Sequence, residues 1–161
     1  MNFLREIEEK RDAFSIFHDG CIIEMAKVSD YYEMKVEIEY LAEIVEPGFS
    51  FFRIRFFGAT AFEFRTWPHS QEAKSQKLTH VEEIFKPEYE ILEANIVESR
   101  IQVICNQHSH EYDYGGGELY FVADSLVILD QEEKSYTIEE LGQISTRYWE
   151  NFSREKSKDI H

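Results

Sequence analysis

A chain of 161 residues with 43% apolar and 15% aromatic content fits one domain burying roughly 70% of its unfolded surface, and its composition excludes intrinsic disorder. The net charge of −15 disfavours phosphate backbones and anionic lipid, and it speeds association with a basic protein. No apolar run approaches the ~18 residues of a membrane span, and the charged start MNFLREIEEKRD has no signal-peptide core. The expectation is one cytoplasmic domain over residues 1–161, with no nucleic-acid or membrane partner and the oligomeric state left open.

Residues 2–14 place Phe3, Leu4, Ile7 and Phe14 at near-helical spacings among charged residues, which predicts an amphipathic first helix. It ends at the turn Phe17-His18-Asp19-Gly20, where Gly20 is expected to take a positive φ. A strand over Cys21–Val28 and a Ser29-Asp30 turn follow. The next stretch, Met34 to Phe64, holds three runs read as strands of a meander. In the first, Met34, Val36, Ile38 and Tyr40 alternate with Lys35, Glu37 and Glu39. In the second, Phe52, Ile54 and Phe56 alternate with Arg53 and Arg55, and the third follows Gly58. Their short connections predict antiparallel neighbours.

His69–His80 is polar and reads as a long exposed connection, with a short helix at Val81–Phe85 ended by Pro87. Strands are predicted at Tyr89–Val97, Ser99–Asn106, Gly117–Ala123 and Ser125–Leu129, and the Gly115-Gly116-Gly117 run between them as a turn or bulge. Thr137-Ile138-Glu139-Glu140 has the pattern of a capping box. The helix it opens carries Ile138, Leu141, Ile144, Tyr148 and Phe152 on one stripe, expected to pack on the sheet, and residues 152–161 read as a frayed tail. The predicted fold class is therefore α+β: a mainly antiparallel sheet of seven to nine strands, curved or two-layered, flanked by an N-terminal and a C-terminal helix.

Candidate chemistry is sparse. Cys21 and Cys105 have no CxxC partner and read as core thiols. His108 and His110, with Asp113 nearby, have spacing compatible with metal ligation, so a metal is the one cofactor considered, the alternative being a solvated polar loop. His18 beside Asp19 pairs an imidazole with a carboxylate, but adjacent turn residues diverge, and local backbone bonding is expected. The second strand is aromatic on both faces: Phe49, Phe51 and Phe57 lie opposite Phe52 and Phe56. The terminal helices are expected to cover that second face; left open, it forms a binding surface of Phe49, Phe51, Arg53, Arg55 and Phe57. Arg53 and Arg55 are expected to pair with Glu37, Glu39 or Glu63.

The Phe17–Gly20 turn, the Ile38-Glu39-Tyr40 run, the Phe56–Phe64 stretch FFGATAFEF and the late GELYFVA strand at Gly117–Ala123 resemble those of small uncharacterised bacterial α+β proteins. Some of those are grouped with immunity proteins of polymorphic toxin systems. The resemblance spans Ala13 to Leu129. It implies an antitoxin-like role with no catalytic residue to transfer, and it directs attention first to His18 and Asp19. The leading functional expectation is a non-enzymatic acidic binding protein that masks a basic partner. The alternatives are a small metal- or ligand-binding protein using His108, His110 and Asp113, and a structural or regulatory domain.

Overall fold

The computed structural model describes residues 1–159, with side chains to residue 156. After α1 (Ile7–Ile16) come β1 (Cys21–Val28), β2 (Tyr31–Glu37), α2 (Glu39–Val45), β3 (Phe51–Phe57) and β4 (Thr60–Pro68). The short β5 (Lys77–Leu78) and α3 (Val81–Ile84) lead into β6 (Tyr89–Val97), β7 (Arg100–Asn106), β8 (Tyr114–Val122) and β9 (Ser125–Leu129). The two-residue β10 (Ser135–Tyr136) precedes α4 (Ile138–Asp159). The ten strands form one sheet in the order β10-β9-β3-β2-β1-β6-β7-β8-β4-β5. Every pairing is antiparallel, so the α+β class read from the sequence is the class observed. None of the described helices is long and apolar enough to cross a membrane.

Two expectations about the Met34–Phe64 stretch fail. The first strand stops at Glu37, and Glu39–Val45 is α2, which buries Leu41 and Ala42. Alternation holds through Tyr40, then breaks where Leu41 and Ala42 follow it as consecutive apolar residues, a helical rather than a strand pattern. The second concerns β3 and β4, which are joined by only Gly58 and Ala59 yet do not pair. β8 and β9 are likewise joined by only Ala123 and Asp124 and do not pair. Instead β3 pairs with β9 and β4 with β8, and the register continues across the gap: Phe57 faces Ser125, and Thr60 faces Val122. The four strands are one two-stranded ribbon bent at a corner, where strands pass from one sheet layer to the next.

The bend curls the sheet on itself. In a flat sheet β3 and β8, five strand spacings apart, would lie about 24 Å from each other. Here the rings of Phe56 and Phe121 are 5.1 Å apart. α1 lies inside the curl: Phe14 meets Phe56 at 6.3 Å and Phe121 at 5.5 Å, and Phe17 meets Phe52 at 5.2 Å. Fully burying such rings contributes about 1.5–3 kcal/mol each. Lys10 of α1 is buried with them, its ammonium donating to Ala123 O at the corner (2.6 Å). Burial lowers its pKa, opposed by the nearby carboxylates of Asp124, Glu6 and Glu9.

The termini also depart from the sequence pattern. Residues before Ile7 are not helical; Leu4 bridges to Leu126 through two backbone hydrogen bonds (2.8 and 2.9 Å), using peptide groups at the edge of β9. The capping box of α4 forms as predicted, with Thr137 N donating to Glu140 Oε1 and Glu140 N to Thr137 Oγ1, both at 3.1 Å. The apolar stripe of α4 rests chiefly on α1 and α2, however, with a smaller contact to the sheet at β10. Gly20 does not take a positive φ; Asp19 does, at 69°. Gly20 is required for space, because a Cβ there would lie 2.9 Å from Phe17 O and 3.0 Å from Val36 Cγ1. The glycine run lies within β8, with a bulge against β4 between its Thr66 and Pro68 pairings. Gly116 has φ +145°, and a Cβ there would stand 2.2 Å from Cys105 O.

Candidate functional site: an acidic cleft beside a cation–aromatic strand face

β3 alternates as its sequence demands. Phe52, Ile54 and Phe56 are buried against the helices, while Phe51, Arg53, Arg55 and Phe57 point to the opposite, outer face and are half-buried. The helices therefore cover the first face of this strand and not the second. Phe49 does not join the outer row; it precedes β3 and packs against the core.

The contacts on the outer face are side chain to side chain. Lys35 stands over the Phe51 ring at 4.0 Å and Arg53 at 4.8 Å, while Arg55 lies 5.5 Å over Tyr31. Tyr31 packs on Phe57 at 5.2 Å, and Phe3 of the N-terminal segment meets the same ring edge-on at 5.7 Å. The guanidiniums pair with Glu33, Arg55 at 2.8 Å and Arg53 at 3.4 Å. Glu37, Glu39 and Glu63, expected as their partners, are not. Glu33 is directly cross-strand to Arg55 and diagonal to Arg53, both positions within reach of a long side chain across a sheet.

Glu63 has three other cations. It lies on the outer face of β4, 7% exposed, with Arg65 at 2.6 Å, Lys77 at 3.0 Å and Arg100 at 3.8 Å. Arg65 and Arg100 lie over Tyr120 at 4.6 and 4.4 Å, and Gln102 Nε2 donates to the Tyr120 hydroxyl (2.8 Å). This network ties the two-residue β5 to β4, β8 and β7.

One row of outer-face residues crosses the end of the sheet from β3 to β7. Phe51 faces Glu37, Glu37 faces Cys21, Cys21 faces Glu90, and Glu90 faces Asn106. Beyond Cys21 the row opens into a cleft of about 300 Å³, walled by Lys86, Glu88 and Glu90 on one side and by His108, Glu111 and Tyr112 on the other. Its volume is at the small end of the range for ligand pockets. The second wall is held by Gln107, buried, whose Nε2 donates to Ser109 O (3.1 Å) and Tyr114 O (2.7 Å). Beneath the cleft the Tyr89 hydroxyl donates to Ile84 O, which fixes the chain leading into Pro87 and Glu88.

Three carboxylates, Glu88, Glu90 and Glu111, line the cleft against one lysine, Lys86. Burial raises the pKa of the Cys21 thiol, and Glu90, Glu37 and Glu88 raise it further. A protonated thiol among carboxylates is a poor nucleophile, whereas the same carboxylates favour a cation. Glu90 accepts from Asn106 Nδ2 at 3.4 Å, and His108 Nε2 lies 3.6 Å from Glu90 Oε1.

The remaining sequence candidates are dispersed. His110 and Asp113 are exposed on the loop. Among the described residues no group of three or more His, Cys, Asp or Glu is placed to hold a metal ion, so the trio His108, His110 and Asp113 is not gathered as a ligand set. His108 alone of the three lines the cleft, facing a carboxylate. His18 turns its Nδ1 to Ser15 O (2.8 Å) and stacks on Trp149 with the ring planes 5° apart and the centroids at 5.8 Å. Asp19 Oδ2 is 4.0 Å from His18 Nε2, and the Asp19 backbone N–H donates to Ile91 O at 2.7 Å. This turn caps α1 against β6 and α4.

Sequence reasoning passed over Glu88, Glu90 and Glu111, and read Glu37 only as a cross-strand partner for arginine. The available signal was Pro87-Glu88-Tyr89-Glu90, an acidic pair at strand spacing immediately after a proline. No protein-family model, curated protein or solved structure matches the chain.

Proposed function

We propose that this protein is a non-enzymatic binding protein that takes a cationic side chain of a basic partner protein into the cleft between Glu88, Glu90 and Glu111. The observation that carries this function is the grouping of Glu88 and Glu90, from β6 and the loop before it, with Glu111 of the facing loop around one cleft of about 300 Å³. The net charge of −15 adds long-range attraction for a basic partner. A masked toxin with a cationic catalytic face, the role implied by the resemblance to immunity proteins, is one case of this chemistry.

Binding of an arginine-rich nonapeptide, followed by fluorescence anisotropy over a series of salt concentrations, tests the function. Affinity should fall as salt rises. The double variant Glu88→Gln/Glu90→Gln should weaken binding by about tenfold, equivalent to roughly 1.4 kcal/mol. The variant Glu8→Gln/Glu9→Gln, which removes the same charge from α1, should change it by much less. Equal losses in the two variants would reduce the effect to net charge and overturn the assignment of the cleft.

A further inference from the structure

α4 packs on α1 and α2 through its apolar stripe and leaves the line beside that stripe bare. Glu139, Gly142, Thr146, Trp149, Ser153 and Lys156 follow at alternating steps of three and four residues, the spacing that keeps side chains on one line of a helix and recurs where two helices pair. All but the half-buried Gly142 are exposed. A shallow groove follows the line, from Glu139 and Gly142 past Thr146 to Trp149 and Ser153. Two of its features are costly to a single chain. A glycine in a helix interior is destabilising relative to alanine, yet a Cβ on Gly142 would meet no atom within 4 Å, so nothing inside the chain requires a glycine there. Trp149 is 40% exposed, its ring seated on His18 and so held in place without being covered.

We infer that this line of α4 is the contact of a two-fold dimer of this chain, in which the two helices pair antiparallel and each Trp149 fills the gap left by Gly142 of the second copy. With the axis between Arg147 and Tyr148, Glu139 stands against Lys156 of the second copy, Gly142 against Ser153, and Thr146 against Trp149. Each indole then enters a hole edged by Gly142 and Thr146 of the opposite helix. Knob and hole lie on the same patch, as an isologous contact requires, and a tryptophan in a pocket is the usual energetic centre of an interface. The ends match in charge, because Glu139 meets Lys156 at both. Lys156 lies over Phe152 at 4.8 Å, and neither it nor Glu139 makes an ion pair among the described residues. Repulsion between two chains of net charge −15 is weak along this face, where residues 138–156 carry three cations against four carboxylates. The paired span is about 26 Å long. A contact of that size is at the small end of specific interfaces, so the dimer dissociates on dilution.

Sedimentation equilibrium of the full chain from about 1 to about 200 µM, a range that brackets micromolar affinity, should show a reversible monomer–dimer equilibrium. Gly142→Leu fills the hole. The single chain has open space for that side chain, so urea unfolding of the dilute variant should show no loss of stability, while the dimer Kd should rise by about tenfold or more. Glu139→Lys, which sets two lysines together at each end, should also raise the Kd by about tenfold. Glu139→Lys/Lys156→Glu exchanges the charges within the same register and should restore the wild-type value. A chain that stays monomeric over the whole range overturns the inference. So does a Gly142→Leu variant that dimerises unchanged, or a double charge variant no tighter than Glu139→Lys alone. The contact uses no residue of the carboxylate cleft, so each of these outcomes leaves the proposed function as it stands.

Discussion

Gly58 and Asp124 face each other across the bend of the β3–β4/β8–β9 ribbon. Gly58 has φ +62°, and a Cβ built on it would lie 2.0 Å from Asp124 Oδ2 and 3.0 Å from Asp124 Cβ. Asp124 N in turn donates to Phe57 O at 2.9 Å. The corner that closes the sheet around α1 therefore depends on one residue without a side chain. Gly58→Ala should lower stability by about 1–2 kcal/mol from the left-handed backbone alone, with an added steric contribution from Asp124. Urea unfolding of Gly58→Ala beside Gly58→Ala/Asp124→Gly separates the two: the double variant should recover part of the loss. Full wild-type stability in the single variant would contradict this description of the corner.

Glu63 is the negative centre for three cations. Burial pushes its carboxyl pKa up, but hydrogen bonds from Lys77 and Arg65 outweigh that and leave it below the ordinary 4.5. The sign follows from linkage: a carboxyl held lower in the folded state contributes stability above pH 4.5 that is lost as pH falls below it. Arg65 and Lys77 are themselves largely exposed, so the net contribution is screened. Glu63→Gln should cost about 1–2 kcal/mol at neutral pH and flatten the decline in stability on the acid side. Chemical unfolding at neutral pH and below pH 4 reads both effects; a variant whose loss is the same at both pH values would exclude this ionic role.

Three phenols, Tyr89 and Tyr136 buried and Tyr40 half-buried, set the alkaline limit. Burial, followed by the charges of Asp19 and Tyr148, pushes Tyr40 up to about 12. Tyr136, bonded to Asp130 Oδ2 at 2.8 Å, and Tyr89 are raised further, again chiefly by burial. Phenols of the unfolded chain ionise near 10. The folded state keeps protons that the unfolded state gives up, so the stability from these groups is intact below pH 10 and lost as pH rises through 10 toward 12. Tyrosinate absorbance for these residues should rise together with the loss of near-ultraviolet circular dichroism. Tyr136→Phe should cost about 1 kcal/mol at neutral pH and move the alkaline midpoint upward. A tyrosinate signal that completes while the protein remains folded would show these hydroxyls to be accessible.

The strand faces were legible in the sequence because alternation is local. Phe52, Ile54 and Phe56 face inward as predicted, and the capping box at Thr137 depends on three neighbouring residues. What failed was non-local. A two-residue link such as Gly58-Ala59 is the same in a hairpin and in a bent ribbon, and only the pairing of β3 with β9 decides between them. Tyr40 was placed on a strand because its alternation with Glu39 continues that of β2, while the packing of α2 against α4 makes this segment helical. The cleft was illegible for a similar reason. Its carboxylates come from Glu88, Glu90 and Glu111, and only the pairing of β6 with β7 brings the loops that carry them together. His108 was singled out, but as a metal ligand in a loop rather than as the neighbour of Glu90.

The central claim is one of location: a cation binds at the cleft and not at the acidic surface in general. The most direct measurement is a backbone amide NMR titration of the full chain with the arginine-rich nonapeptide at moderate salt. Shift changes should concentrate at Cys21, Glu88, Glu90 and the 108–112 loop, and should saturate together with one affinity. Changes spread over the carboxylates of α1, α2 and α4 with no saturation, or no change at Glu90, would contradict the claim.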